Sequence, residues 1–400
     1  MLAKTTGYLY STFMATISSS SIAGTGSPAQ ASAATRGRGA VANVLHRFDS
    51  VARVADPVDP HPGDEAAPVW RTTVQPEQAR RLISRNVSPD IPFDAAVNPY
   101  RGCEHGCVYC FARPTHAYLG YSPGLDFETR LVAKTNAVEA LRAEFARPGY
   151  IVSPINIGSA TDVYQPIERE WRLTRGLLEL MRETGHPFSL VTKNALVERD
   201  LDILQELAQR NLAAVYISLT SMDNTLSSKL EPRASAPWRR LRTISTLAAA
   251  GVPVGVLVAP VIPFITDEHL EHIIDAAAQA GASSAHYTVL RLPYEVKEIF
   301  EAWLALHFPD RAQRVLHRIE DMRDGKRNDP RFGSRMRGTG IWADLLRQRF
   351  ELALRRSGMT RRRLPLSCDL FVPPKAAAPA GIRRNPHSVA CETVQFGLFD

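Results

Sequence analysis

The chain is poor in cysteine. Five in 400 residues cannot build a disulfide framework, so stability must come from a buried apolar core, for which this length is ample. It also lacks any run approaching the roughly 18 unbroken apolar residues that a spanning helix needs. A soluble chain with no membrane partner is therefore expected. No internal repeat is visible, and an even spread of charge is missing too. The net charge is +7, yet residues 311–384 hold 19 Lys+Arg against 7 Asp+Glu, a local +12 that leaves −5 for the remainder. Such a basic block predicts an anionic partner, nucleic acid first. A solvated, salt-bridged helical surface is the other reading of the same run.

At the N-terminus, residues 1–35 are rich in Ser, Ala and Thr, and Lys4 is their sole charge. Ser11, Thr12, Thr16 and the Ser18–Ser21 run break up the apolar part. It makes a poor signal-peptide core despite Ala-x-Ala spacing in 28–34. With the proline-rich stretch 55–68, residues 1–68 are expected to form a disordered or targeting-like extension, or to reflect a start codon placed too far upstream.

From residue 69 to 294, short apolar runs alternate with amphipathic helices. Strands are expected at 95–99, 153–157, 188–192, 214–219, 254–259 and 285–290. Helices fall between them, among them 198–210, 235–250 with Ser235 as N-cap and Gly251 as stop, and 267–280 from Thr266 to Gly281. This alternation predicts an α/β fold with a parallel sheet buried on both faces. A partial (βα)6 TIM-like barrel and a doubly wound open sheet fit it equally, and both place chemistry at the strand C-terminal ends. Residues 295–357 read as a helical extension (295–307, 311–324, 340–355), and 358–400 as a basic irregular tail.

Three of the five cysteines fall within eight residues, in N98-P-Y-R-G-C-E-H-G-C-V-Y-C-F-A-R-P-T-H116. Cys103, Cys107 and Cys110 would bind three irons of a cubane and leave the fourth open to an amine and a carboxylate. Clustered thiols of this kind imply a reducing, cytoplasmic setting. The alternative is a zinc site completed by His105 or His116, although zinc ligands usually arrive as two separated pairs. Cys368 and Cys391 lie far away, and two thiols cannot hold a second cubane.

The Cys-x3-Cys-x2-Cys signature resembles that of the radical S-adenosylmethionine superfamily. The words NPYRGCEHGCVYCFARPTH, SATDVYQPIE and LEPRA resemble the branch that includes spore photoproduct lyase and related DNA-repair lyases, over roughly residues 85–310. The resemblance implies a partial barrel with a [4Fe-4S] cluster after the first strand, and reductive cleavage of S-adenosyl-L-methionine to a 5′-deoxyadenosyl radical. It further implies an electron-donor protein, for which the basic tail is a docking candidate.

The cofactor site implied by the resemblance takes in Tyr109, beside the third thiolate. Thr161 and Asp162 would meet the methionyl amine, or else cap a strand-to-helix turn. Lys193 would meet the methionyl carboxylate, and Ser218 a ribose or carboxylate oxygen. Glu231 and Arg233 would lie near the cofactor, or form an ordinary surface pair. Gly255 would let the adenine approach. One departure stands out: no cysteine lies between Cys110 and Cys368 to quench a product radical as in spore photoproduct lyase. Cys368 or Cys391 must fold back, a tyrosine (Tyr109, Tyr164 or Tyr287) must take the role, or the substrate differs. Two other functions remain open: a radical enzyme acting on a peptide or small metabolite, and a non-catalytic zinc or Fe–S nucleic-acid-binding module.

Overall fold

Six short strands, each followed by a helix, build the body of the protein. In the computed structural model, which describes residues 37–49, 70–362 and 364–375, they run β1 (Ala95–Val97), β2 (Ile155–Ile157), β3 (Phe188–Thr192), β4 (Ala213–Ser218), β5 (Val254–Val261) and β6 (Ser284–Val289). The intervening helices are α1 (Ala137–Phe145), α2 (Leu173–Thr184), α3 (Leu201–Gln209), α4 (Pro237–Ala249) and α5 (Leu270–Gln279). The strands lie in the order β6-β5-β4-β3-β2-β1, and each neighbouring pair is parallel. A doubly wound sheet reverses its order at a switch point, whereas a barrel adds strands in sequence. The order therefore selects the partial (βα)6 barrel. An antiparallel strand, Ile83–Arg85, which periodicity did not signal, flanks β1.

β1 and β2 are buried at every residue and β4 and β5 nearly so, as expected of strands covered on both faces, whereas burial along β3 alternates. Phe188, Leu190 and Thr192 are buried, while Ser189 and Val191 between them are half-buried. Phe188 and Leu190 join the main core with Leu177, Leu178 and Met181 of α2 and Leu204 and Leu207 of α3. The other face lines the barrel interior, where Asn156 of β2 donates to Ser189 of β3 at 3.2 Å.

Helix ends follow local chemistry with two corrections. Gly251 and Gly281 end their helices in the left-handed conformation, φ +74° and +100°. Ser235 does not cap α4, which starts at Pro237; its hydroxyl accepts from the Ala195 N–H at 2.9 Å. Proline at the first position has no donor to satisfy. Thr266 likewise caps nothing, and its hydroxyl accepts from the Ile262 N–H at 2.8 Å.

Three long helices follow the barrel, α6 (Val296–His307), α7 (Pro309–Asp321) and α8 (Gly340–Ser357), with a single turn, Ser334–Arg337, between the last two. Between α7 and α8 the chain reaches the far side of the barrel gap. Arg335 grips Asp90, in the loop before β1, with Nε at 2.7 Å and a second N–H, and the Gly333 N–H adds a third bond at 3.1 Å. The chain from Met359 to residue 375 forms no helix or strand, but it is packed. Thr360 bridges Ser284, the Ser367 N–H donates to Asn211 O at 2.8 Å, and the Val372 N–H donates to Thr184 O at 2.8 Å. These partners precede or begin β6, β4 and β3, so the segment straps the N-terminal end of the barrel.

Residues 37–49, expected to belong to an unstructured lead, are also packed. The N–H groups of Gly39 and Ala40 donate to the buried Glu128 carboxylate at 3.0 and 2.9 Å. Residues 1–35 and 55–68 lie outside the described residues.

Candidate active site

The cysteine loop follows β1 and is pinned from several sides. Tyr100–Arg101 pairs with the strand Arg130–Lys134, which sets the entry to Gly102 and Cys103. Gly102 and Gly106 have φ of +78° and +67°, and a Cβ on Gly102 would meet Phe127 O at 2.8 Å. The turn therefore requires glycine there. Arg113, fully buried, donates to Cys107 O at 2.9 Å, to Gly124 O at 2.8 Å and to Gly106 O at 3.2 Å, and pairs with Glu128. A buried guanidinium with this many acceptors is satisfied in place, and loss of one partner of such a pair costs about 3–5 kcal/mol.

Cys103 and Cys107 are buried and Cys110 half-buried, among Ala112, Phe127, Val108 and Ile262. Burial pushes both buried thiols up, Cys107 to about 12, where the Glu231 carboxylate adds to the effect and the Lys193 ammonium opposes it. Iron binding requires thiolates, so loading this loop releases protons. The dry surroundings and shared loop fit a cubane, in which each thiolate takes its own iron. For zinc the fourth ligand would be a histidine, and His116 has a buried Nδ1 with no hydrogen-bond partner, whereas His105 is engaged on both ring nitrogens. His105 lies against Asp162, with Nδ1 3.2 Å from Oδ2, and Asn194 sits at 3.2 Å from its Nε2. His116 Nε2 lies 2.9 Å from Arg130 O, as its donor. Among the described residues no three His, Cys, Asp or Glu converge on a single ion.

The remaining sequence candidates divide into supports and mouth-lining groups. The Thr161 hydroxyl donates to Gly102 O at 2.6 Å and so braces the cysteine loop. Asp162 is saturated: it accepts from the Tyr164 N–H and Thr192 hydroxyl, and from the Lys193 N–H at 2.8 Å. Burial raises its pKa, but His105 and these donors outweigh that and hold it at about 2. This is the capped turn weighed for the segment, extended to tie β2, β3 and the cysteine loop together.

Lys193 and Ser218, at the ends of β3 and β4, meet directly, with Nζ donating to Oγ at 2.9 Å. No carboxylate lies within ion-pair distance of Lys193 among the described residues, so two of its three N–H donors are available. Glu231 and Arg233 are not a pair. Glu231, 2% exposed, pairs with Arg240 and accepts from Tyr109 and from the Thr220 hydroxyl at 2.8 Å. Burial works against its charge, but Arg240 and then Lys193 keep its pKa below the usual range. Tyr109 is pushed well up by burial and by the Cys107 and Glu231 charges, so it stays a neutral donor. Arg233 bonds Glu104 at 3.0 Å instead. A Cβ on Gly255 would meet the Tyr216 ring at 2.7 Å and Ser284 Oγ at 2.5 Å, so protein side chains fill that space.

Arg113, Glu128, Thr220 and Arg240 were not singled out by sequence. Arg113 lies inside the cysteine motif and was within reach. Arg240 sits on a helix with five other basic or hydroxyl residues and carries no local signal. Cys368 lies in the strap at the opposite end of the barrel, and Cys391 is outside the described residues. Tyr164 is bound to Asp200 at 3.1 Å and Tyr287 packs on Phe350, so Tyr109 is the tyrosine at the cysteine loop.

Residues 97–277 match the model of the Radical SAM superfamily. Uncharacterised proteins of Mycobacterium tuberculosis and Mycobacterium bovis are 40% identical over 226 residues, 56% of this chain and 66% of theirs. This chain thus spans slightly under two thirds of those relatives. Spore photoproduct lyase complexed with dinucleoside spore photoproduct superposes with a TM-score of 0.51 at 16% identity, covering 71% of this chain and 79% of that one. At that identity the likeness is one of fold, and it is the partial barrel described above. No helix among the described residues is long and apolar enough to cross a membrane. Over residues 97–277, therefore, the chain is similar to the radical SAM superfamily.

Proposed function

We propose that this chain is a radical SAM enzyme with one [4Fe-4S] cluster on Cys103, Cys107 and Cys110, acting on nucleic acid in a lyase-like or repair-like reaction. One arrangement carries the reading: a dry three-thiol loop stands at the strand ends beside Lys193, a cation without a carboxylate. When bound, the cluster and S-adenosylmethionine would supply a one-electron reductive cleavage that delivers a hydrogen-abstracting adenosyl radical. The chain's own residues hold and shield.

Lys193 offers two N–H donors to a methionyl carboxylate, with Ser218 fixing its direction. Glu231 would stand beside the cofactor as a buried charge facing Lys193, with Tyr109 and Thr220 bonded to it and Arg240 keeping it ionised and in place. Thr161, Asp162 and the Arg233–Glu104 pair position the loop rather than touch the cofactor. Ala40 and Val44 of the N-terminal segment pack beside Cys107 and exclude water from that side.

The nucleic-acid part is supported by the fold shared with spore photoproduct lyase, whose solved complex holds a dinucleoside spore photoproduct, and by the basic block 311–384. Many arginines there are spent in ion pairs, among them Arg327, Arg349 and Arg356, so part of the block is the salt-bridged surface also considered. Among the described residues no thiol other than Cys103, Cys107 and Cys110 stands at the mouth, which favours a substrate other than that of spore photoproduct lyase. An electron-donor protein completes the scheme.

The test is anaerobic purification, iron and sulfide analysis, and an assay for 5′-deoxyadenosine with dithionite and S-adenosylmethionine. About four irons per chain and the nucleoside product are expected, both lost in Cys107→Ala. Zinc in place of iron, with no product, would overturn the proposal.

A further inference from the structure

Beside the strand ends, a cleft of about 920 Å³ opens between the first turn of α6 and the loop joining α7 to α8. Its back wall is Arg291, two residues past the end of β6 and therefore at the same end of the barrel as the cysteine loop. The charges around it do not balance. Arg327 is taken by Glu301 and Glu320, and Arg335 by Asp90. Arg291, Lys297 and Lys326 are left, and none has an ion-pair partner among the described residues; Glu298 is the one lining acid not already paired.

Behind Arg291 lies Arg323, 1% exposed, whose guanidinium donates to Leu290 O and, at 3.3 Å, to Arg335 O. The Nε atoms of both Arg291 and Arg323 are buried without a hydrogen-bond partner. Burial lowers both guanidinium pKa values, and neighbouring arginines lower them further, Arg323 to about 10. Asp90 and Asp329 offset part of this, on Arg291 and Arg323 respectively, and an anion in the cleft would offset more. At the rim, Tyr294 presents a ring that is 64% exposed, with the Arg47 guanidinium 4.6 Å from its centroid. An open aromatic beside cations is the pairing that single-stranded nucleic acid uses, with bases on the ring and phosphates on the cations.

We infer that this cleft binds the phosphodiester backbone of the nucleic-acid substrate, with Arg291, Lys297 and Lys326 as phosphate contacts and Tyr294 as a stacking surface. The inference rests on the nucleic-acid reading above and gives it a place: the strand would lie along the outer rim of the mouth past the end of β6, on the loop that Arg335 ties to Asp90.

The test is fluorescence anisotropy of a labelled single-stranded oligonucleotide with the full chain, titrated across salt. Lys297→Ala/Lys326→Ala changes two exposed side chains and is compared with Arg182→Ala/Arg210→Ala, at the opposite end of the barrel, and with Arg361→Ala/Arg362→Ala. The cleft variant is expected to bind more weakly, with a log–log salt slope shallower by about 0.7 per lysine, and the Arg182/Arg210 variant to match wild type. Tyr294→Ala should weaken binding with the slope unchanged. If the cleft variant binds like wild type while Arg361→Ala/Arg362→Ala does not, the cleft assignment is wrong and the nucleic-acid reading stands. If the wild-type protein binds no oligonucleotide even at low salt, both fall.

Discussion

His186 stacks flat on Phe145, with centroids 4.4 Å apart and planes within 2°. Its Nδ1–H donates to Pro187 O at 3.0 Å, so Nε2 must accept from the Tyr150 hydroxyl at 2.8 Å, and the ring is held neutral. Burial depresses its pKa to about 4, and that of His116, packed edge-on to Phe127, to about 4 as well. Below the ordinary value of 6.5, the unfolded chain takes up protons that the folded protein refuses. Stability is therefore full above about 6.5 and falls as pH drops toward 4, by up to one proton per histidine. Asp162 acts in a lower window: its depressed pKa stabilises above 3.8 and is lost toward 2. Urea midpoints measured from pH 7 to pH 5 should fall, and His186→Phe, which keeps the stacking, should show a slope about half as steep. An equal slope in the variant would remove His186 from the account.

At the scale of elements, the cysteine loop owes its shape to a segment far from it in sequence. A Cβ on Gly39 would lie 1.6 Å from Gly106 O, an impossible contact with backbone. Gly39→Ala must therefore lift residues 37–49 off the loop and strip Glu128 of two N–H donors. Reduced iron retention is expected after anaerobic reconstitution, to below half of wild type, read from iron content and the visible absorbance of the cluster. Leu45→Ala, at a side chain of the same segment that faces solvent, serves as the comparison. Equal iron in both variants would show that the segment does not hold the loop.

For the whole molecule, an open barrel leaves its N-terminal end and one side uncovered, and the chain covers both with its own C-terminal third. The strap closes the N-terminal end, where Phe371 packs edge-on against Phe145 and His186, with centroids 5.6 and 5.2 Å away. Its ring is half-buried, so Phe371→Ala should cost about 2 kcal/mol, below the 3–5 of a fully buried phenylalanine. A denaturant midpoint that does not move would mean that the strap is a passenger. Arg335 and Asp90 close the side, which places the basic loop beside the mouth and puts the proposed phosphate cleft on its outer rim.

The sequence by itself determined the six strands, five of them starting within a residue of their observed positions, the glycine stops of two helices, and the three thiols in one loop. Each depends on neighbours within one or two turns: alternation, a left-handed exit, a fixed spacing. What only tertiary structure decided were the long-range partnerships. Barrel and open sheet share one local pattern and differ only in strand order. Glu231 reads as the partner of Arg233 two residues away, but the folded chain gives it Arg240 and Tyr109, the latter 122 residues distant. The Gly39 N–H finds Glu128 across 89 residues, in a stretch whose composition suggested disorder. A buried charge takes whichever opposite charge the packing brings to it, and periodicity carries no record of that choice.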